Sequence, residues 1–280
     1  MPCYLCGCDE TKKVNGKVRD NDKLDILECK NCGLIFLSSF SHIAEGFYEN
    51  SGMHSNDIDI KSWINETEKD DERRYQFLKE KIKNKSVLDF GCGNGGFLLR
   101  VRNTANKVYG IELEDKIYKY FNEQKLSVYK NISEPEGIFD IITLFHVIEH
   151  FVDPVKELLK ISEKLSDNGE IIIETPNSND ALLKLYESKS FSEFTYWSCH
   201  VFLYNSNTLI QLAKKAGLKI NFIKQVQRYS LANHLYWLSK GKPGGHIKWS
   251  FLENEILKSV YEKELAALGL CDTIIAGFAK

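Results

Sequence analysis

Beyond about residue 85, short runs of apolar and β-branched residues alternate with segments whose apolar positions recur every three or four residues. The runs predict strands at 86–90, 107–112, 126–129, 139–145, 169–175, 219–229 and 273–279. The periodic segments predict helices at 73–83, 95–104, 114–124, 153–166 and 206–216. The helix from 153 is the best signalled. Asp153 suits the N-cap, Pro154 the first turn, and Val155, Leu158, Leu159 and Leu165 make an apolar face. Such alternation predicts an α/β chain with a seven-stranded, mostly parallel sheet and helices on both faces. The last two strands, without another crossover pattern, predict an antiparallel edge strand.

The pattern changes before residue 73. Residues 39–72 are polar and weakly periodic, and read as a linker or lid with short helices. Residues 1–38 carry Cys3 and Cys6 in one C-x-x-C and Cys29 and Cys32 in another, each pair followed by glycine. Two such knuckles can set four thiolates in a tetrahedron around zinc, and the glycines let the backbone turn beneath the sulfurs. A unit this small needs metal to fold, and four cysteines leave no open coordination position, so the expected zinc is structural. The scattered Cys92, Cys199 and Cys271 read as buried, reduced thiols. The expected organisation is therefore a zinc ribbon at 1–38, a linker at 39–72 and a large domain at 73–280, with a substrate-binding insert at about 230–262.

Composition narrows the partners. In 280 residues, 43% of them hydrophobic, there is enough apolar material for one large core and a small appendage. A net charge of −2 gives no basic field for nucleic acid or an anionic membrane, and residues 1–40 balance six Lys/Arg against six Asp/Glu. No apolar run approaches the ~20 residues that span a bilayer. The first residues lack a signal peptide's apolar segment. A soluble, cytoplasmic protein is expected.

The chemistry centres on "VLDFGCGNGGFLLRV" at 87–101. Gly91, Gly93 and Gly96 satisfy G-x-G-x-x-G between a strand and a helix, and Glu112 follows about 20 residues on. A carboxylate there can accept both hydroxyls of a ribose, so an adenosine-like ligand is implied, either a dinucleotide or another nucleoside cofactor. Asp89 distinguishes them. A carboxylate two residues before the first glycine would repel a pyrophosphate and suits a cationic, phosphate-free ligand. "LDFGCGNGG" resembles motif I of the class I S-adenosylmethionine-dependent methyltransferases. The resemblance extends over 73–280 through "YGIELE", "FDIITLFHVIEHFVDP" and "LSDNGEIIIETPN". It implies a Rossmann-like fold and S-adenosylmethionine as cofactor. In it, Asp89, Gly91 and Gly93 would hold the methionine end, Glu112 the ribose, and Ile132 and Ser133 the adenine. Phe145 and His146 would close over the cofactor.

"HVIEH" at 146–150 also matches the inverted zinc-peptidase signature H-x-x-E-H. That chemistry needs both histidines on one helix, whereas His146 here follows a buried-strand pattern. For the acceptor, "YWSCHVFLYN" resembles the Tyr-x-x-x-His segment of sugar methyltransferases, which assigns Tyr196 to substrate binding and His200 to the catalytic base. His150 is the other candidate base. The stretch 228–249 has Arg228, Lys242 and His246 interleaved with Tyr229 and other aromatic residues, and no acid. Cationic groups with aromatic faces suit a phosphorylated sugar or nucleotide sugar. The expected function is O-methylation of such a small molecule in surface-polysaccharide synthesis, without nucleic acid as partner. The alternatives are a zinc-ribbon RNA methyltransferase, a sugar C-methyltransferase, a non-catalytic cofactor-binding scaffold and an NAD-dependent oxidoreductase.

Overall fold

The computed structural model describes residues 1–44, 46–49 and 59–280. The expected linker falls partly on residues 45 and 50–58, outside the described residues. The chain begins with three short strands, β1 (Thr11–Lys13), β2 (Ile26–Cys29) and β3 (Ile35–Leu37). The larger unit then runs α1 (Ile60–Ile82), β4 (Ser86–Phe90), α2 (Gly96–Val101), β5 (Lys107–Ile111), α3 (Tyr118–Glu123), β6 (Val128–Tyr129), β7 (Phe139–Phe145), α4 (Pro154–Glu163) and β8 (Leu165–Pro176). After two single-turn helices, α5 (Ala181–Lys184) and α6 (Lys189–Ser192), come β9 (Phe202–Leu203), α7 (Ser206–Lys215) and β10 (Lys219–Val226). The chain continues with α8 (Leu231–Lys240), α9 (Gly245–Lys248), α10 (Glu255–Leu268) and β11 (Thr273–Ala279).

The main sheet has seven strands in the order β10-β11-β8-β7-β4-β5-β6. From β8 to β6 the neighbours are parallel, while β11 runs antiparallel to both β8 and β10. The antiparallel strand thus lies one place in from the edge. Burial explains the order: Thr273 to Phe278 are all buried, as an interior strand requires, whereas β10 exposes Lys219, Asn221 and Lys224. β10 stops at Val226, short of the expected 229, because the Asp272 carboxylate accepts from the N–H groups of Arg228 and Tyr229 and turns the chain.

Helix α1 starts thirteen residues earlier than its apolar pattern suggests. Asp59 caps it, accepting from the N–H groups of Lys61 and Ser62. Its buried positions are Asp71, Arg74, Leu78 and Ile82, so half of the inward stripe is charged and carries no hydrophobic signal. The N-terminal strands form a second sheet, β1-β2-β3-β9, in which β3 pairs with β9 of the larger unit. Leu34 and Phe36 join Phe202, Leu209 and Leu212 in one continuous core. Among the described residues no helix is long and apolar enough to cross a membrane.

Candidate active site

A cavity of about 810 Å³ opens at the C-terminal ends of β4, β5 and β7, with α1 along one wall. The loop after β4 is built by backbone bonding: the N–H groups of Gly91 and Cys92 both donate to the Ile111 carbonyl, at 2.8 and 2.9 Å. Gly91 has φ +74°, and a Cβ there would lie 2.5 Å from Val147 Cγ2. The turn therefore needs glycine for both conformation and space.

Two carboxylates face this loop. Glu112 accepts from the Gly93 N–H at 2.8 Å on one oxygen, and from the Leu113 and Glu114 N–H groups at 2.7 and 3.0 Å on the other. Burial nevertheless raises its pKa, the backbone donors only partly opposing it. Asp89 is 2% exposed and accepts from Thr143 Oγ1 at 2.6 Å. Its burial, partly offset by that bond and by Arg74, pushes the pKa up to about 7. Among the described residues Asp89 forms no ion pair, and Arg74 acts on it only at longer range.

The opposite wall is a network of buried ions. Glu174 on β8, fully buried, accepts from Arg73 at 2.9 and 3.0 Å and from Arg74 at 3.0 and 2.7 Å. Burial opposes this charge, but the two guanidinium groups and His146 outweigh it and hold the carboxyl well below the usual range. Arg228 donates its Nε to Asp70 and its Nη1 to His146 Nε2 at 3.0 Å. The same Nε2 lies 3.4 Å from Glu174 Oε1, and His146 Nδ1 lies 3.2 Å from Glu149 Oε1, so the ring bridges two buried carboxylates. His146 has φ +58°, a strained conformation worth on the order of 1–3 kcal/mol, held by its N–H donating to the Glu174 carbonyl at 2.7 Å.

Of the sequence-derived site residues, Asp89, Gly91, Gly93, Glu112, Ile132, Phe145, His146, His150 and Arg228 line this one cavity. Ser133 does not; its hydroxyl donates to Asn131 Oδ1, and Asn131 and Ile132 line the wall instead. His200 stands behind His150, the ring centroids 4.9 Å apart. Burial lowers the pKa of both imidazoles, that of His200 to about 3. Four expected substrate residues lie elsewhere. Tyr196 is buried against Val18, Ile26 and Leu37 of the N-terminal unit, where its large apolar ring packs. Tyr229, Lys242 and His246 are exposed outside the cavity, because Arg228 is drawn inward by Asp70 while the following helices fold away. Sequence reasoning missed the α1 wall, from Trp63 to Arg74, and Lys156 and Lys160 of α4 at the cavity mouth. The H-x-x-E-H pair does not gather as a metal site among the described residues, since His146 turns to Glu149 and Arg228.

In the N-terminal unit, Cys3, Cys6, Cys29 and Cys32 converge, their sulfurs all within 4.8 Å of one another. The Cys3–Cys32 and Cys6–Cys29 separations are 3.4 and 3.5 Å. Four Zn–S bonds of ~2.3 Å would set sulfurs ~3.8 Å apart, so the donor set fits tetrahedral zinc with little movement. The Gly7 and Gly33 N–H groups donate to the carbonyls of Cys3 and Cys29, making the two knuckle turns.

Comparison with known proteins identifies the family and the fold. A family profile described as a methyltransferase domain matches residues 64–221, more than half of the chain. A ubiquinone biosynthesis O-methyltransferase of Hydrogenovibrio crunogenus is 23% identical over 234 residues, 75% of this chain and 93% of the relative. A tRNA U34 carboxymethyltransferase of Campylobacter curvus is 30% identical over 105 residues, 34% of this chain and 35% of the relative. Among solved structures, a methyltransferase described in complex with the Haloferax volcanii Trm112 activator superposes with a TM-score of 0.52. That match has 12% identity and covers 80% of this chain and 99% of the other, which speaks to fold alone.

Proposed function

The chain belongs to the class I S-adenosylmethionine-dependent methyltransferases, and from that premise we propose that it O-methylates a small acceptor bearing a negative group, a phosphorylated sugar or nucleotide sugar. One observation carries this reading: a single cavity joins Asp89 and Glu112 at one end to His150, Lys156 and Lys160 at the other. When bound, S-adenosylmethionine supplies an activated methyl group on a sulfonium.

Asp89, buried and in no ion pair among the described residues, suits the ammonium of the cofactor's methionine end. Glu112 suits the ribose. Three of its acceptor positions already take backbone N–H groups, so binding both ribose hydroxyls requires the Gly93 bond to be shared or released. Asn131 and Ile132 are the adenine-side groups. Phe145 and His146 form the floor, held from beneath by Glu174. Alignment of acceptor and methyl group supplies up to ~7–11 kcal/mol in such displacements, and the rigid wall of α1 and β8 serves that alignment.

At the acceptor end, Lys156 is the cation for a phosphate, with Lys160 beside it paired to Glu157 at 2.7 Å, in place of the distant Lys242 and His246. His150 faces the acceptor and His200 backs it, so activation of the acceptor hydroxyl belongs to this corner. The four-cysteine cluster is read as a structural zinc ribbon, its support being the sulfur spacing. A second reading, a phenolic or quinol acceptor, is favoured by the H. crunogenus relative, which aligns over most of its length. Mass-spectrometric screening of sugar phosphates, nucleotide sugars, phenols and RNA for the gain of one methyl group tests the proposal. Transfer to phenols alone, or to RNA alone, would overturn the acceptor assigned here.

A further inference from the structure

One cluster of metal-ligating side chains is not accounted for by the cofactor or the ribbon. His150, Cys199 and His200 bring one ligand atom each to within 4.8 Å of one another. From this convergence we propose that His150, Cys199 and His200 bind a second zinc ion at the acceptor end of the cavity. The inference deepens the proposed function, and rests on it only for what the ion does, not for where it binds.

Several observations carry it. The Nδ1 atom of His150 is fully buried and makes no well-formed hydrogen bond among the described residues, the backbone of His146 and Cys199 only approaching the ring; an unsatisfied buried nitrogen costs roughly 1–3 kcal/mol. The His200 ring stands edge-on to the rings of His150 and Trp197. Cys199, also buried, is a free thiol. Two imidazoles and a thiolate form a donor set that zinc favours, and bond lengths of ~2.0–2.3 Å require only a small contraction of the cluster. The buried Glu149, next to His150 in the chain, adds a negative charge close to the ion, which with the thiolate balances a dication.

The surroundings hold the ligands in place. Tyr48 donates its hydroxyl to the carbonyl of His150 at 3.0 Å and lies 3.4 Å from that of Cys199, tying the two ligand segments together. Asp20 of the N-terminal unit accepts from the N–H and hydroxyl of Ser198 at 2.9 and 2.6 Å. The Leu37 N–H donates to the Val201 carbonyl at 3.2 Å, and β3 pairs with β9 just beyond. The Cys199–His200 segment is thus clamped from both sides, as metal ligands commonly are by their outer hydrogen bonds. Three protein ligands leave a tetrahedral zinc one open position, and His150 lines the cavity. Because Cys199 and His200 stand behind His150, the ion would act on the acceptor through the His150 ring, fixing its orientation toward the cavity.

The test is metal content of the full chain after dialysis against a weak chelator, by inductively coupled plasma mass spectrometry. Wild type is expected to hold two zinc ions per chain, and Cys199→Ala and His200→Ala one each. Cobalt reconstitution of Cys6→Ser, which lacks a ribbon ligand, is expected to retain tetrahedral cobalt bands that vanish when Cys199→Ala is added. Should these variants misfold, a colorimetric chelator applied to wild type is expected to draw zinc in two separable steps of one equivalent, the first without change in circular dichroism. One zinc in wild type, two zincs unchanged by the Cys199 and His200 substitutions, or a single release step overturns the site. S-adenosylhomocysteine binding, measured on the same samples, reports separately on the cofactor reading, so a failed metal site and a failed methyltransferase assignment give different results.

Discussion

Replacing Asp89 by Asn tests the electrostatics of the glycine loop. The wild-type carboxyl has a pKa of about 7 because it is buried. Its ordinary value is near 3.8, so holding it charged in the empty cavity costs on the order of 4 kcal/mol. The sign follows from linkage. A carboxyl whose folded pKa is raised favours folding when protonated, so its contribution to stability declines as pH rises from about 4 to about 7 and is level above that. A ligand ammonium favours the charged form. Between pH 8 and pH 6 the carboxylate fraction falls from about nine tenths to about one tenth, and affinity for S-adenosylhomocysteine should weaken about tenfold, or ~1.4 kcal/mol. In Asp89→Asn the dependence should flatten, with affinity at pH 8 below the wild-type value at pH 6. The variant without ligand should also be more stable than wild type at pH 8 and not at pH 4. Titration calorimetry across this range and urea unfolding measure both quantities. An unchanged affinity at pH 8, or a pH slope equal to that of wild type, would refute the reasoning.

Gly96→Ala should destabilise by about 1–3 kcal/mol in urea unfolding, because its Cβ would lie 2.2 Å from Oδ2 of the buried Asp71, which Arg74 and Thr67 hold in place. Arg228→Leu should cost about 3 kcal/mol at pH 7 by leaving Asp70 to Arg73 alone. Although burial works against the Asp70 charge, Arg228 outweighs it and lowers the pKa, so that deficit should shrink as pH falls below about 4. Lys156→Ala should raise the KM for a phosphorylated acceptor several-fold without changing S-adenosylhomocysteine affinity. Cys29→Ser should remove the ribbon zinc and lower the melting temperature, since Cys29 shares a core with Phe202 and Leu209.

Much of the cofactor end was legible because its signals are local. A strand, a glycine turn and two carboxylates lie within residues 86–112, and the Ile111 carbonyl that ties the turn belongs to the next strand. The rest depends on long-range contacts. Helix α1 was hidden because Asp71 and Arg74 occupy its buried face, and Arg74 is held there by Glu174, 100 residues away. Arg228 and Lys242 look alike in sequence, yet Asp70 draws one inward while the other stays exposed outside the cavity. Tyr196 was read through its spacing to His200, but its ring serves the packing of β2 and β3. The order β10-β11-β8 was partly readable: "TIIAGFA" has no polar alternation and "KINFIKQV" has it, which separates an interior strand from an edge.

The central claim is that the cavity below α1 holds S-adenosylmethionine. Equilibrium dialysis of the folded chain with radiolabelled S-adenosylmethionine tests it most directly. The account expects one site per chain, displaced by S-adenosylhomocysteine and not by NAD, and weakened about 10- to 100-fold in Glu112→Ala. No binding by the wild-type chain, or binding that Glu112→Ala leaves intact, would contradict it.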